Sequence, residues 1–402
     1  MLEELAHYVI GTPYPFALDL EKCEGMYLAT VDGQYLFDWA GYFGSKLIGH
    51  NHPRLYEPDY VKRLVCAANN KTANPDFLTP ECLEYYRLLY RLAPESMKNP
   101  RLEVYAVNSG AEAVENMLKY LVARFNAKRQ AAGKPITGRR FLYFDQAFHG
   151  RTVFALQVTQ TIDPVATKDF HGLSSAGNIK LPFPALNTSE SAAVNEARTD
   201  DALRIIEFAL QQMADEIIGV IVEPIQGAGG QRTADPRFFR RLSELTHQYD
   251  VYLAFDEVQT SLGPTGRLFA IDHFDLPHPP MAVAVGKKFG TGAVYMYEPL
   301  DDIGVLDSTW GGTLADMVRV VQEVKIVEEE GLITRAAENG HHLAAGLRAI
   351  AEQPHSPIYN VRGMGLYQGF SLDTPADKAR LIDNAREEHD LLLLGAGANS
   401  IR

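Results

Sequence analysis

The sequence predicts an α/β fold: a mostly parallel central sheet flanked by helices, with a smaller α+β domain built from both chain ends. Three observations lead there. Apolar, strand-like runs alternate with helical patterns through the middle of the chain, and such alternation makes βαβ units with parallel pairing. Residues before about Pro53 carry a hairpin pattern instead. The chain, 402 residues at 46% hydrophobic content, is long enough for two domains and a large core.

The elements follow in order. Met26-Tyr-Leu-Ala-Thr-Val-Asp-Gly-Gln-Tyr-Leu-Phe-Asp reads as two alternating strands around an Asp-Gly turn. Leu102-Glu-Val-Tyr-Ala-Val is strand-like and breaks at Asn108-Ser109-Gly110. Val114, Met117, Leu118, Leu121, Val122 and Phe125 then mark one buried helical face. Arg140-Phe-Leu-Tyr-Phe is the next strand, followed by a helix over about Asp200 to Met213 and the strand Ile217-Ile-Gly-Val-Ile-Val. Val251–Phe255 and Met281–Val285 complete the series. A long helix over roughly Leu314 to Glu330 is closed by Gly331. Three segments result: 1–54, the N-terminal part of the small domain; 55–295, the large domain; and 296–402, an interdomain helix with the rest of the small domain. The chain stops at Arg402 just after the apolar run Leu391–Leu394 and a Gly-Ala-Gly turn, which leads us to expect a further strand and helix beyond it.

A net charge of −13 argues against nucleic acid and anionic membrane surfaces as partners. No apolar run reaches the roughly 18 residues that span a bilayer, and the N-terminus lacks a basic region before an apolar one. Cys23, Cys66 and Cys82 are odd in number and lack CxxC spacing. They read as buried, reduced thiols of a cytoplasmic protein, with no metal site.

Two runs carry the chemistry: Phe255-Asp256-Glu257-Val258-Gln259-Thr260 and Val285-Gly286-Lys287-Lys288, each following a strand-like stretch. In a parallel sheet both end at the same edge, so an acid faces a lysine across a crevice. An aspartate opposite a lysine suits pyridoxal phosphate (PLP). The lysine holds the aldehyde as a Schiff base, and the carboxylate keeps the pyridine nitrogen protonated so that the ring serves as an electron sink. An aspartate near a lysine is more often an ordinary ion pair, and three more loops at the same edge tip the balance. Asn108-Ser109-Gly110-Ala111-Glu112-Ala113 enters a helix, where small residues let backbone N–H groups close on a phosphate; a capped helix start with Ser109 and Glu112 is the plainer reading. Gln146-Ala147-Phe148-His149-Gly150-Arg151 offers a ring to stack on a cofactor and a guanidinium to clamp a carboxylate, where a core phenylalanine and a surface arginine are the alternatives. Glu223-Pro224-Ile225-Gln226-Gly227-Ala228-Gly229-Gly230 forms either a tight loop over a site or a structural turn.

Together NSGAEAVEN, AFHGR, EPIQG, FDEVQT, GKK and STWGG resemble the class III (subgroup II) PLP-dependent aminotransferases over nearly the whole chain, from Tyr35-Leu-Phe-Asp and Gly49-His-Asn-His-Pro53 to Arg402. FHGR, FDEVQT, GKK and STWGG look most like the L-lysine 6-aminotransferase, or ω-amino acid aminotransferase, branch. The resemblance implies a fold-type I enzyme that moves an amino group, the ω-amine of lysine or a related amino acid, to a 2-oxo acid such as 2-oxoglutarate by a ping-pong mechanism. It makes Lys287 the Schiff-base lysine and Asp256 the partner of the pyridine nitrogen. Phe148 and Val258 would sandwich the ring, and Gln259 would contact its hydroxyl. Ser109, Gly110, Ala111 and His149 would complete the cofactor set. Thr309 would reach the phosphate of the neighbouring subunit in a homodimer, and Arg151 and Arg402 would bind substrate carboxylates.

The chain departs from that pattern at Ala228, where the lysine, ornithine and 4-aminobutyrate enzymes usually carry a glutamate that neutralises the arginine matching Arg402. It departs again at Thr313, where the lysine branch generally has Asn. An aminomutase or racemase of the same fold shares the cofactor residues, and a non-catalytic binding protein would retain the fold. A nicotinamide-binding enzyme is disfavoured, because no GxGxxG follows an early strand.

Overall fold

The computed structural model describes residues 2–5, 7–9, 14–160, 177–302 and 304–402. The N-terminal hairpin pairs β1 (Tyr27–Ala29) with β2 (Tyr35–Asp38), antiparallel about the Asp32-Gly33 turn, where Gly33 adopts φ 92°. The central strands are β3 (Glu103–Val107), β4 (Arg140–Phe144), β5 (Ile179–Leu181) and β6 (Ile217–Val222). A short ribbon, β7 (Ile225–Gln226) and β8 (Arg232–Thr233), precedes β9 (Tyr252–Asp256), β10 (Ala282–Val285) and β11 (Gly292–Met296). Seven of these form one sheet in the order β3-β11-β10-β9-β6-β4-β5. Only β11 runs against its neighbours, so the other six strands share one direction.

Helices cover both faces of this sheet, as the near-continuous apolar strands require. β6, β9, β10 and β11 are buried at every residue. The helix Gly110–Ala131 buries Ala113, Val114, Met117, Leu118, Leu121 and Phe125 against one face. On the other face Phe238, Phe239 and Phe274 join Phe144, Phe183 and Phe255 in a cluster of stacked and edge-on rings. The helix expected from about Asp200 starts earlier, at Ala192, with the Ser191 hydroxyl accepting from Val194 N at its cap. Its first turns, Ala-Ala-Val-Asn-Glu-Ala-Arg, are largely exposed and present no buried apolar stripe, so they lack the periodicity that reveals a helix in sequence.

The helix Leu314–Glu329 ends where expected, at the left-handed Gly331 (φ 63°), and packs its apolar face into the main core. Beyond it, β12 (Ile358–Met364), β13 (Tyr367–Leu372), β15 (Gly395–Ala396) and β16 (Ser400–Ile401) form an antiparallel sheet. β14 (Leu391–Leu392) instead joins the hairpin, with Leu391 opposite Phe37, so the two chain ends share a sheet. All three cysteines are free; Cys23 and Cys82 are buried, but Cys66 is exposed, against the expectation of three buried thiols. It lies on the outer face of the helix Pro58–Asn69, whose buried residues are Tyr60 and Ala67. No helix among the described residues is long and apolar enough to cross a membrane.

Candidate active site

β3, β4, β6, β9 and β10 all deliver their carboxyl ends to one edge of the sheet, where open α/β folds bind ligands. The loops beyond them enclose a cavity of about 300 Å³ lined by Gly110, Ala111, Phe148, His149, Arg151, Glu223, Asp256, Val258, Gln259 and Lys287, among others. Strand register sets the spacing. Val222 pairs with Phe255 and Ala284 with Asp256, so Glu223 and Asp256 emerge side by side and Lys287 follows on the next strand.

Asp256 is buried, and both its oxygens are engaged. One accepts from Val258 N at 3.0 Å, and the other lies 2.8 Å from His149 Nδ1. Burial alone would depress the His149 imidazole, but the hydrogen bond and charge of Asp256, with the charge of Glu223, hold it above its ordinary value. Its other nitrogen, Nε2, has no partner among the described residues. Glu223 accepts from Phe148 N at 2.9 Å, and burial lifts its carboxyl to about 7. Glu257 turns away from the cavity and accepts from Ala270 N at 3.1 Å and Ile271 N at 2.8 Å, a structural tie inside the same motif.

The two neighbouring lysines diverge. Lys287 adopts φ 51°, lines the cavity and donates to the Phe43 carbonyl at 3.0 Å. Burial first, and then the charge of Arg402, lowers its ammonium to about 8. Lys288 is buried and donates to the Gln259 carbonyl at 2.7 Å and the Gly44 carbonyl at 3.1 Å, outside the cavity lining.

At the cavity's other end Ser109 caps the helix Gly110–Ala131, its Oγ accepting from Glu112 N at 3.2 Å. The plainer reading of Ser109 therefore holds for its hydroxyl, which does not line the cavity. The N–H groups of Gly110 and Ala111 open the first turn, which has no intrahelical acceptors. A Cβ on Gly110 would come within 2.6 Å of Val258 Cγ1, so only glycine lets the helix start this close to the floor.

The carboxylate-binding candidates are placed differently. Arg151 lines the cavity at its exposed rim. Arg402 sits behind Gln259, its Nη1 donating to Gln259 Oε1 at 3.0 Å, while Gln259 Nε2 donates to the Phe43 carbonyl at 3.2 Å. The Gln259 amide is thus engaged at both ends. Thr309 does not line the cavity of its own chain; the adjacent Ser308 Oγ accepts from Asn108 Nδ2 at 3.1 Å.

Two groups in the site had no role assigned from sequence. Glu223 heads a loop placed at this edge and follows the fully buried strand β6, the same acid-after-strand signal that marked Asp256. The Phe43 carbonyl had no signal, because a backbone oxygen delivered by a distant loop leaves no trace in residue type.

The arrangement fits pyridoxal phosphate. A helix start with a glycine-only approach suits the phosphate, a buried carboxylate suits the ring nitrogen, and a lysine with a lowered pKa suits the aldehyde. The model of the family Aminotransferase class-III matches residues 10–402. The chain is 33% identical to the L-lysine-epsilon aminotransferase of Mycobacterium bovis over 414 residues, covering 100% of this chain and 89% of that protein. It is 30% identical to the acetylornithine aminotransferase of Gloeobacter violaceus, covering 98% and 90%. The lysine aminotransferase of M. tuberculosis, solved in the internal aldimine form, superposes with a TM-score of 0.93 at 32% identity, covering 100% of this chain and 92% of that one. The chain therefore belongs to the class III aminotransferases and is a pyridoxal-phosphate-dependent transaminase.

Proposed function

We propose that this transaminase takes the ω-amino group of lysine or a related amino acid and passes it to a 2-oxo acid, with 2-oxoglutarate as the expected acceptor. The likeness to the L-lysine-epsilon aminotransferases supports the choice of donor, and the chemistry rests on the pairing, across one cavity, of Lys287 with the Asp256–His149 couple. When bound, pyridoxal phosphate supplies an aldehyde to receive the amino group and a ring to store an electron pair. Lys287 is the amine that anchors the aldehyde, because of the two lysines only it lines the cavity. Freed by the incoming donor, the Lys287 amine moves the proton at the reacting carbon, and its lowered pKa near 8 keeps a working fraction neutral. Asp256 holds the ring nitrogen's proton, and His149 fixes the carboxylate's orientation from behind. Gly110 and Ala111 N–H groups would hold the phosphate, and Phe148 and Val258, which line the same cavity, would flank the ring.

The donor question turns on Ala228. The Arg402 guanidinium donates to the neutral Gln259 amide and lies against the Tyr367 phenol, and its Nε has no partner among the described residues. A donor that presents a carbon without a carboxylate leaves this cation with only the charge of the buried Glu223 to oppose it, where the lysine-branch pattern supplies a further glutamate. Stopped-flow half-reactions with lysine, ornithine, 4-aminobutyrate and glutamate test this. We expect Ala228→Glu to speed the lysine and ornithine half-reactions by about tenfold, the scale of one charge-assisted contact. Lysine reacting as fast as the best donor, with no gain in the variant, would show that Ala228 imposes no penalty.

A homodimer with shared sites is proposed on two grounds. Thr309 misses the cavity of its own chain, and Lys71 and Asn74 pack on the 308–312 loop while Phe77, Leu78 and Trp310 are left exposed, the first two at 69% and 82%. Sedimentation of fully active protein at the monomer mass would overturn this. A cytoplasmic location is proposed from the three free thiols. The shared β2–β14 sheet supports grouping 1–54 with the part of 296–402 beyond the long helix as one small domain.

A further inference from the structure

A second cavity, of about 450 Å³, shares no lining residue with the active site but takes Lys288 into its wall. The segment 46–50, the loop 262–264 after β9 and the start of the helix Leu332–Ala351 enclose it. Its lining holds four basic side chains, Lys46, His50, Lys288 and Arg335, against one acid, Asp38. Asp38 is turned to its own backbone, one oxygen accepting from Ala40 N at 3.1 Å and Gly41 N at 3.0 Å. The bases are left without acids. Among the described residues, the Lys46 ammonium and the Arg335 guanidinium make no hydrogen bond or ion pair. Glu323, the acid whose charge Lys46 feels most, is already paired with Arg319 at 3.1 Å. Lys288 Nζ donates to two backbone carbonyls, which leaves one of its three N–H groups over. His50 is 8% exposed, and its Nε2 has no partner among the described residues. A gap left by loose packing is apolar, whereas cations drawn into a cavity without a counter-charge are costly.

We infer that this cavity is a second binding site, which takes a small organic carboxylate: the anion meets Lys46, Arg335 and the remaining N–H of Lys288, and a short hydrocarbon body lies on Leu47, Ile48 and Val327. Its volume falls within the range of small-molecule sites. Burial lowers both lysines, Lys288 to about 7 and Lys46 below its ordinary value, and a bound anion would restore their charge. A bare inorganic anion leaves the apolar part of the wall unused. The occupant reaches catalysis through Lys288, whose Nζ holds the Gly44 carbonyl at 3.1 Å. The preceding Phe43 carbonyl accepts from Lys287 Nζ at 3.0 Å and from Gln259 Nε2 at 3.2 Å. Tyr42 and Phe43 hold this loop at φ 50° and 59°, a left-handed conformation that non-glycine residues keep only where their surroundings impose it. An anion that draws the Lys288 ammonium toward itself loosens the Gly44 carbonyl and shifts the backbone that positions Lys287. The carboxylate is therefore an effector, whichever amino donor the enzyme uses.

The test is calorimetric titration of 4-methylpentanoate into cofactor-loaded enzyme whose active site is filled by aminooxyacetate, a reagent that captures the pyridoxal aldehyde. One site per chain is expected, with a Kd on the order of 1 mM or tighter. Inorganic phosphate should bind about tenfold more weakly or worse, for want of a hydrocarbon body. Lys46→Met and, separately, Arg335→Gln should each weaken 4-methylpentanoate by about tenfold, with the melting temperature and the turnover without effector unchanged. In unblocked enzyme at saturating substrates, 4-methylpentanoate should change kcat by about twofold or more in the wild type and in neither variant. No saturable binding to the blocked enzyme, or binding that neither substitution weakens, would overturn the site. Phosphate binding as tightly would overturn the choice of an organic carboxylate, and binding that leaves kcat unchanged would overturn the coupling through Lys288.

Discussion

Lys287→Ala protein is expected to fold and retain pyridoxal phosphate noncovalently, yet lose turnover by roughly 10⁴-fold or more, because one side chain serves as both anchor and proton carrier. The neighbouring Lys288 does not rescue it. Its amine is held by two backbone carbonyls, those of Gln259 and Gly44, and points outside the cavity. Borohydride reduction followed by peptide mapping should accordingly place the adduct on Lys287, and an adduct on Lys288 would refute the assignment. A pH signature accompanies this. Burial lowers the Lys287 ammonium to about 8, so the reactive neutral amine is scarce at pH 6 and dominant at pH 9. Capture of pyridoxal phosphate by cofactor-free protein should therefore accelerate as pH rises through about 8; a midpoint near 10.5 would mean that burial leaves this lysine unshifted.

Asp256→Asn is expected to leave folding and cofactor loading intact while lowering turnover by roughly 10²–10³-fold, the scale of losing one preorganised charge in an active site. The amide preserves shape and can still accept from Val258 N, but it offers no negative charge to a ring proton. The change should also reach His149, whose raised pKa depends on the carboxylate. Without it, burial pulls the imidazole down, opposed only by the charge of Glu223. Steady-state rates, with the melting temperature as a control, decide the matter. A variant within tenfold of wild type would show that the ring proton is held elsewhere, with Glu223, beside Asp256 at the same sheet edge, as the next candidate.

Much of this site could be read from residue order, because parallel strands bring their carboxyl ends together whatever their order in the sheet. The loops after Val107, Phe144, Val222, Asp256 and Val285 needed only a strand-then-loop reading to be placed at one edge. Two strands escaped that reading. β5 is three residues at the sheet's edge, and β11 returns antiparallel to β10 with only the single 3-10 turn Lys287–Phe289 between them, outside the βαβ pattern. The partners of Gln259 were equally hidden. Its role at a ring hydroxyl followed from motif position, whereas its bonds to Arg402 and to the Phe43 carbonyl depend on how two distant loops fold back over the site.

The dependence of turnover on an acceptor tests the central claim most directly. Purified, cofactor-loaded protein is mixed with lysine and with each rival donor, and product is counted per active site with and without 2-oxoglutarate. Amino-group transfer stores the group on the enzyme, so about one equivalent of product should form without acceptor and many equivalents with it, glutamate rising in step. Sustained turnover of an amino acid without any 2-oxo acid would contradict the account and identify an internal rearrangement or racemisation on the same scaffold.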